Sequence, residues 1–115
     1  MRYLALLAFL AAPAVAEPPV VENVTAQAAG DSWRFSVTLR HPDSGWDHYA
    51  DGWRVELPDG TVLGTRELLH PHVNEQPFTR SQSGIRIPSG VTRVHIRAKC
   101  SVDGWSEDVT AFDLP

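Results

Sequence analysis

Residues 32–40 read SWRFSVTLR. Trp33, Phe35, Val37 and Leu39 alternate with Arg34, Ser36, Thr38 and Arg40. Successive side chains of a β-strand face opposite sides of its sheet, so this alternation predicts a half-buried antiparallel strand with its apolar side turned to a core. Residues 91–100, VTRVHIRAKC, repeat the pattern. Val94, Ile96, Ala98 and Cys100 share the inward phase. Arg93, His95, Arg97 and Lys99 share the outward one, which is expected to be a solvated basic face that discourages edge pairing. Cys100 is the one cysteine of the chain. Its phase predicts a buried thiol, and no intrachain disulfide is available to hold the fold together.

The same reading extends along the rest of the chain. Residues 20–28, VVENVTAQA, form a weaker strand, expected at a sheet edge. Residues 52–68 read as a hairpin: Trp53, Val55 and Leu57 face inward, and Pro58-Asp59-Gly60 supplies turn chemistry. Residues 76–87 are extended, with Pro77 confining their start to an edge or a bulge because proline has no N–H for a ladder. Pro88-Ser89-Gly90 turns the chain, and residues 108–114 close it as a last strand. Helical periodicity is nearly absent. About seven short strands with turns at this spacing predict an all-β, Greek-key β-sandwich, and residues 17–115 suit one domain.

Residues 1–16 are expected to be a signal peptide. Met1-Arg2 start it, Tyr3 to Ala12 form an apolar run too short to span a bilayer, and Ala14-Val15-Ala16 has the small-x-small pattern of a cleavage site. Residue 17 is Glu and not Cys, so no lipid anchor is expected there, and no second long apolar run suggests a transmembrane segment. These features place the protein in the periplasm or the medium. Formal charge is −4 for the whole chain, and one unit more negative without residues 1–16, which hold one Arg and no acid. An acidic surface argues against nucleic acid as a partner, because phosphate binding needs clustered Lys and Arg.

Residues 87–105, IPSGVTRVHIRAKCSVDGW, resemble the late strands of fibronectin type III-like and immunoglobulin-like domains: a proline-containing turn, an alternating strand, then a glycine-containing hairpin. The resemblance implies an immunoglobulin-like sandwich with Trp33 or Trp53 as its core tryptophan. The inter-sheet disulfide of antibody domains is absent. Residues 45–81 also resemble a block found in small, uncharacterised secreted bacterial proteins, which implies no particular activity.

Two blocks carry residues unusual for a sandwich, and strand-connecting loops often gather at one end of such a fold. Residues 41–53 read HPDSGWDHYADGW, and residues 70–78 read HPHVNEQPF. The leading expectation is a secreted or periplasmic noncatalytic binding or accessory module. It would present Trp46, His48, Tyr49, Phe78 and Arg80 to an unknown protein or envelope component, with no cofactor. The alternative is a periplasmic metal-binding protein. His70 and His72 lie one residue apart and face one side of an extended chain. With His48 as a third ligand and Glu75 or Asp47 as a fourth, they would suit copper or zinc. A structural alternative is a network of Asp47, Asp51 and Glu75 with Arg54, Arg66 and Arg80 that ties the two blocks together. No nucleophile elbow or acid–base pair is visible, so an enzyme is not expected.

Overall fold

The computed structural model describes residues 17–115. The predicted signal peptide, residues 1–16, lies outside the described residues. Eight strands follow in order: β1 (Val20–Ala29), β2 (Ser32–Arg40), β3 (Ala50–Glu56), β4 (Val62–Glu67), β5 (Phe78–Ile85), β6 (Arg93–Cys100), β7 (Gly104–Trp105) and β8 (Thr110–Asp113). They form two antiparallel sheets. One has the order β1-β2-β5. The other has the order β4-β3-β6, with β7 and β8 both pairing β6. No helix of the described residues is long and apolar enough to cross a membrane.

The period-two pattern sets the core. Phe35, Val37 and Leu39 of β2 are buried together with Trp53 and Val55 of β3 and Val94, Ile96 and Ala98 of β6, so the two sheets share one apolar interior. β2 and β6 turn every second side chain into it, and β3 does so at Trp53 and Val55, past the register shift that follows Ala50. Trp53 is the large aromatic at its centre, and Trp33, at the start of β2, is half-buried on its margin. The β3–β4 hairpin turns as its sequence predicts: Gly60 adopts φ 93°, where a side chain would be strained, and its N–H reaches the Leu57 carbonyl at 2.8 Å. Leu57 itself lies past the end of β3 and is only half-buried. β1 and β5 are the edge strands of the smaller sheet, and β5 begins directly after Pro77.

The outer face of the larger sheet differs from the solvated ladder expected of it. Glu56 is 1 % exposed although it points away from the core. Its carboxylate accepts from Arg54 Nε at 2.6 Å and from both Arg97 Nε (2.7 Å) and Nη2 (3.2 Å). Arg54 also lies over the Trp105 ring, 4.0 Å from its centroid. Burial alone would raise the Glu56 pKa, but the hydrogen bonds and charges of Arg97 and Arg54 outweigh it and hold the carboxyl below its ordinary range. Arg93 pairs with Asp113, and Lys99 lies 3.5 Å from Asp51, so three of the four outward basic residues of β6 have acidic partners.

β7 and β8 lie along the same side of β6 and are separated by residues 106–109. Across that break the Arg97 Nη1 donates to the carbonyls of Ser106 (2.6 Å) and Glu107 (3.0 Å). A side chain thus satisfies backbone groups that a continuous strand would have paired.

Candidate metal centre

The β2–β3 loop begins where the inward phase of β2 runs on past its last apolar residue. After Phe35, Val37 and Leu39 the next two inward positions are His41 and Asp43, and both are buried. The Asp43 carboxylate accepts three hydrogen bonds. Oδ1 takes His41 Nδ1–H at 2.6 Å and the Ala50 N–H at 2.9 Å, and Oδ2 takes the His72 N–H at 2.8 Å. A buried carboxylate needs such partners to offset its lost hydration. Gln76 adds a second stitch: its Oε1 accepts from His41 N–H at 3.0 Å and its Nε2 donates to the His72 carbonyl at 2.9 Å. The two unusual blocks are therefore tied together, but by Asp43 and Gln76 rather than by the expected arginine network. Arg80 pairs with Glu75 within its own block, Arg66 donates to the Ser81 carbonyl, and Arg54 turns to Glu56.

A third loop joins them. The Ser101 N–H donates to the Tyr49 carbonyl at 2.9 Å, and the Ser101 hydroxyl accepts from Tyr49 N–H at 3.0 Å. This holds the end of β6 against the β2–β3 loop and brings Cys100 to two histidines. One donor atom from each of His41, His48 and Cys100 lies within 4.8 Å of the other two. The His41 and His48 rings meet edge to face at 4.7 Å, and Cys100 is 1 % exposed. A tight turn aims His48: its carbonyl accepts from Ser44 N–H, and its N–H donates to the Gly45 carbonyl.

The ring nitrogens are differently engaged. Asp43 holds Nδ1 of His41, while Nε2–H of His41 donates to the Glu17 carbonyl at 2.9 Å. Among the described residues Nε2 of His48 is buried and has no hydrogen-bond partner. Cys100 Sγ accepts from the Asp103 N–H at 3.4 Å. Two imidazoles and a thiol, one imidazole backed by a carboxylate, make a donor set that suits a first-row transition ion.

The histidine pair expected to lead the metal site is engaged otherwise. His72 is buried, and its ring stacks on Phe78 at 3.9 Å with 12° between planes. Its Nε2 accepts from Arg80 Nη2 at 2.8 Å, so that lone pair is already used. Burial first, then the charges of Arg80 and His70, push the His72 pKa below its ordinary value, against the opposing pull of Glu75 and Asp43. His70 is exposed, its ring 4.7 Å from His72, with Nδ1–H directed to the Pro71 carbonyl. Glu75 pairs with Arg80 at 3.1 Å and stays exposed. His48 is grouped with His41 and Cys100 instead of with this pair. Of the residues expected to meet a partner, Trp46 is exposed and packs edge to face with half-buried Tyr49, whereas Phe78 is 3 % exposed and belongs to the core. Phe78 is thus corrected from surface to interior, because it opens β5 in the inward phase opposite Leu39.

No family model matches the chain. A protein named "Putative lipoprotein" from Halomicrobium mukohataei is 43 % identical over 97 residues, which covers 84 % of this chain but 47 % of that protein. The chain thus spans about half the length of that relative. Two solved structures share the fold. A hypothetical protein from Pyrococcus horikoshii OT3 superposes with a TM-score of 0.55 at 14 % identity, covering 86 % of this chain and 88 % of its own. The superoxide reductase from Nanoarchaeum equitans gives 0.55 at 15 % identity, covering 85 % and 92 %. At such identities the likeness is one of fold.

Proposed function

We propose that this is an exported metal-binding module of the cell envelope, with His41, His48 and Cys100 as the ligands supplied by its side chains. The observation that carries the reading is the meeting of these three residues from the β2–β3 loop and the end of β6, with one buried imidazole nitrogen lacking a hydrogen-bond partner. Asp43 supports it, because a metal-bound histidine commonly donates its other N–H to a carboxylate. The envelope location is supported by the small-x-small pattern before Glu17 and by the name of the Halomicrobium relative. The sheet orders β1-β2-β5 and β4-β3-β6 support an immunoglobulin-like assignment of the sandwich. The reductase activity named for one neighbour belongs to that protein, and the reading here is of a binding protein.

The test is calorimetric titration of the purified protein with Zn(II) and Co(II), repeated on Cys100→Ser, His48→Ala and His70→Ala. One-to-one binding weakened by the first two variants and unchanged in the third is expected. Loss of binding in His70→Ala alone would return the site to the His70–His72 pair.

A second reading is a docking surface on the same loops. Trp46, Leu69, Val73 and Val102 are four of the six large exposed hydrophobics of the described residues, and they lie on the three loops joined through Asp43 and Ser101. Exposed apolar groups clustered at one end support a protein partner there. Replacing Trp46 and Leu69 by Ser is expected to weaken association with an envelope partner while metal affinity stays constant.

A further inference from the structure

We propose that Glu17, Pro18 and Pro19 form a strap that closes the metal site: the Glu17 carbonyl holds the place of the ion on His41, and the ion enters only when the strap lifts. The inference rests on the reading of His41, His48 and Cys100 as ligands and goes beyond it in assigning a gate to that site.

The geometry at His41 sets the conflict. Asp43 engages Nδ1, so Nε2 is the nitrogen left for an ion. Nε2–H donates to the Glu17 carbonyl at 2.9 Å. An ion bound through Nε2 replaces that proton, which passes to solvent, and stands ~2.0–2.1 Å from the nitrogen on the same side of the ring. The carbonyl oxygen would then lie closer to the ion than the ~2.0–2.2 Å of an ion–oxygen bond. Ion and carbonyl therefore exclude each other at this nitrogen. The other two ligands need no comparable displacement. Nε2 of His48 has no hydrogen-bond partner among the described residues, and Cys100 Sγ accepts the Asp103 N–H at 3.4 Å, a contact that a metal-bound sulfur can keep.

The sequence builds the strap. β1 pairs β2 with Val20 opposite Arg40, and the same register carried one step further sets Pro19 opposite His41. Proline has no N–H, so the ladder ends there and the chain leaves the sheet edge beside His41. Glu17 and Pro18 each precede a proline, which confines them to extended conformations, and each proline ring fixes its own φ. The segment is therefore stiff, and it has little conformational freedom to lose when its carbonyl meets His41. Pro19 is buried and anchors the strap, whereas Glu17 and Pro18 are exposed. Among the described residues the one hydrogen bond of Glu17 is that to His41. Pro18 and Pro19 also line a cleft of about 230 Å³ with Ser106, Asp108 and Val109 of the β7–β8 connection, so the strap is incompletely backed there and has room to move. A closed strap reduces apparent affinity by the fraction of molecules in which it is lifted.

The experiment is calorimetric titration of the purified protein and its Pro18→Gly variant with Zn(II) and Co(II), with Cys100→Ser as the check that the ion uses this site. Pro18 is exposed, so its replacement loosens the strap and spares the core. Binding about 3–10-fold tighter in Pro18→Gly is expected, the factor that one net hydrogen bond represents. Histidine NMR supplies a second readout. The hydrogen-bonded His41 Nε2–H resonance is expected in the ion-free protein and should vanish with one equivalent of Zn(II), while the amide resonances of β1 stay in place. Unchanged or weaker binding in Pro18→Gly, or a His41 Nε2–H resonance that persists in the ion-loaded protein, overturns the strap, and the metal-binding reading stands if Cys100→Ser weakens binding. If neither ion binds the parent or the variant, the metal-binding reading fails and the strap falls with it.

Discussion

Replacing Asp43 by Ala should be among the most damaging single changes to this domain. The substitution removes one buried carboxylate and leaves three donors behind: His41 Nδ1–H, the Ala50 N–H and the His72 N–H. A buried donor left without an acceptor costs about 1–3 kcal/mol, and some relief comes from water entering the space of the lost side chain. A total of about 3–5 kcal/mol follows, against the ~5–15 kcal/mol by which such a domain is stable. The assay is urea unfolding followed by tryptophan fluorescence, to which Trp53 at the centre of the core contributes. With a slope of ~1–3 kcal/mol per molar urea, the midpoint should fall by about 2 M. Asp47→Ala serves as the control, since Asp47 is exposed and makes no side-chain hydrogen bond among the described residues. A shift under about 0.5 M for Asp43→Ala, or an equal shift for both variants, would refute the view that this carboxylate pins the three loops.

Other expectations follow from the same contacts. His72 should titrate below its ordinary value of 6.5 in a histidine NMR titration, and Arg80→Gln should move it upward without restoring it, because burial is the larger cause. Since the folded protein holds this ring neutral, its contribution is complete above pH 6.5 and is lost as pH falls from there toward the lowered value. Glu56, with its pKa held below the ordinary 4.5, contributes stability above that value that disappears as pH falls through the lowered one. Glu56→Gln should therefore flatten the acid limb of a stability–pH profile while lowering stability at neutral pH. Cys100, 1 % exposed, should resist alkylation in the native protein and react upon addition of urea, with mass spectrometry as the readout.

The strands that alternate cleanly were legible from residue types alone. β2 and β6 place every inward side chain as their phase demands, Cys100 included, and Pro58-Asp59-Gly60 marked the β3–β4 turn. β7 was not legible, because two residues carry no period. The candidate site was legible in part. His48 and the burial of Cys100 were accessible, but His41 is not among the candidate ligands that the sequence suggests, although it continues the inward phase of β2 beyond Leu39. A titratable residue at the end of an apolar phase is the signal that could have found it, and Asp43, two residues further, repeats that signal. His70 and His72 attracted attention through spacing. Spacing carries no information about Arg80, which reaches the His72 lone pair from β5. The outward basic stripe misled for a related reason: Glu56 comes from the neighbouring strand, and only the register of β3 on β6 sets it beside Arg97.

The broken margin formed by β7 and β8 bears on how the domain behaves in a crowded compartment. An incoming extended chain can add to a sheet only where several consecutive main-chain groups stand free in register. Here it meets segments of two and four residues. The interruption between them should make recruitment of a foreign strand at this margin unfavourable and so guard against fibril growth from that side.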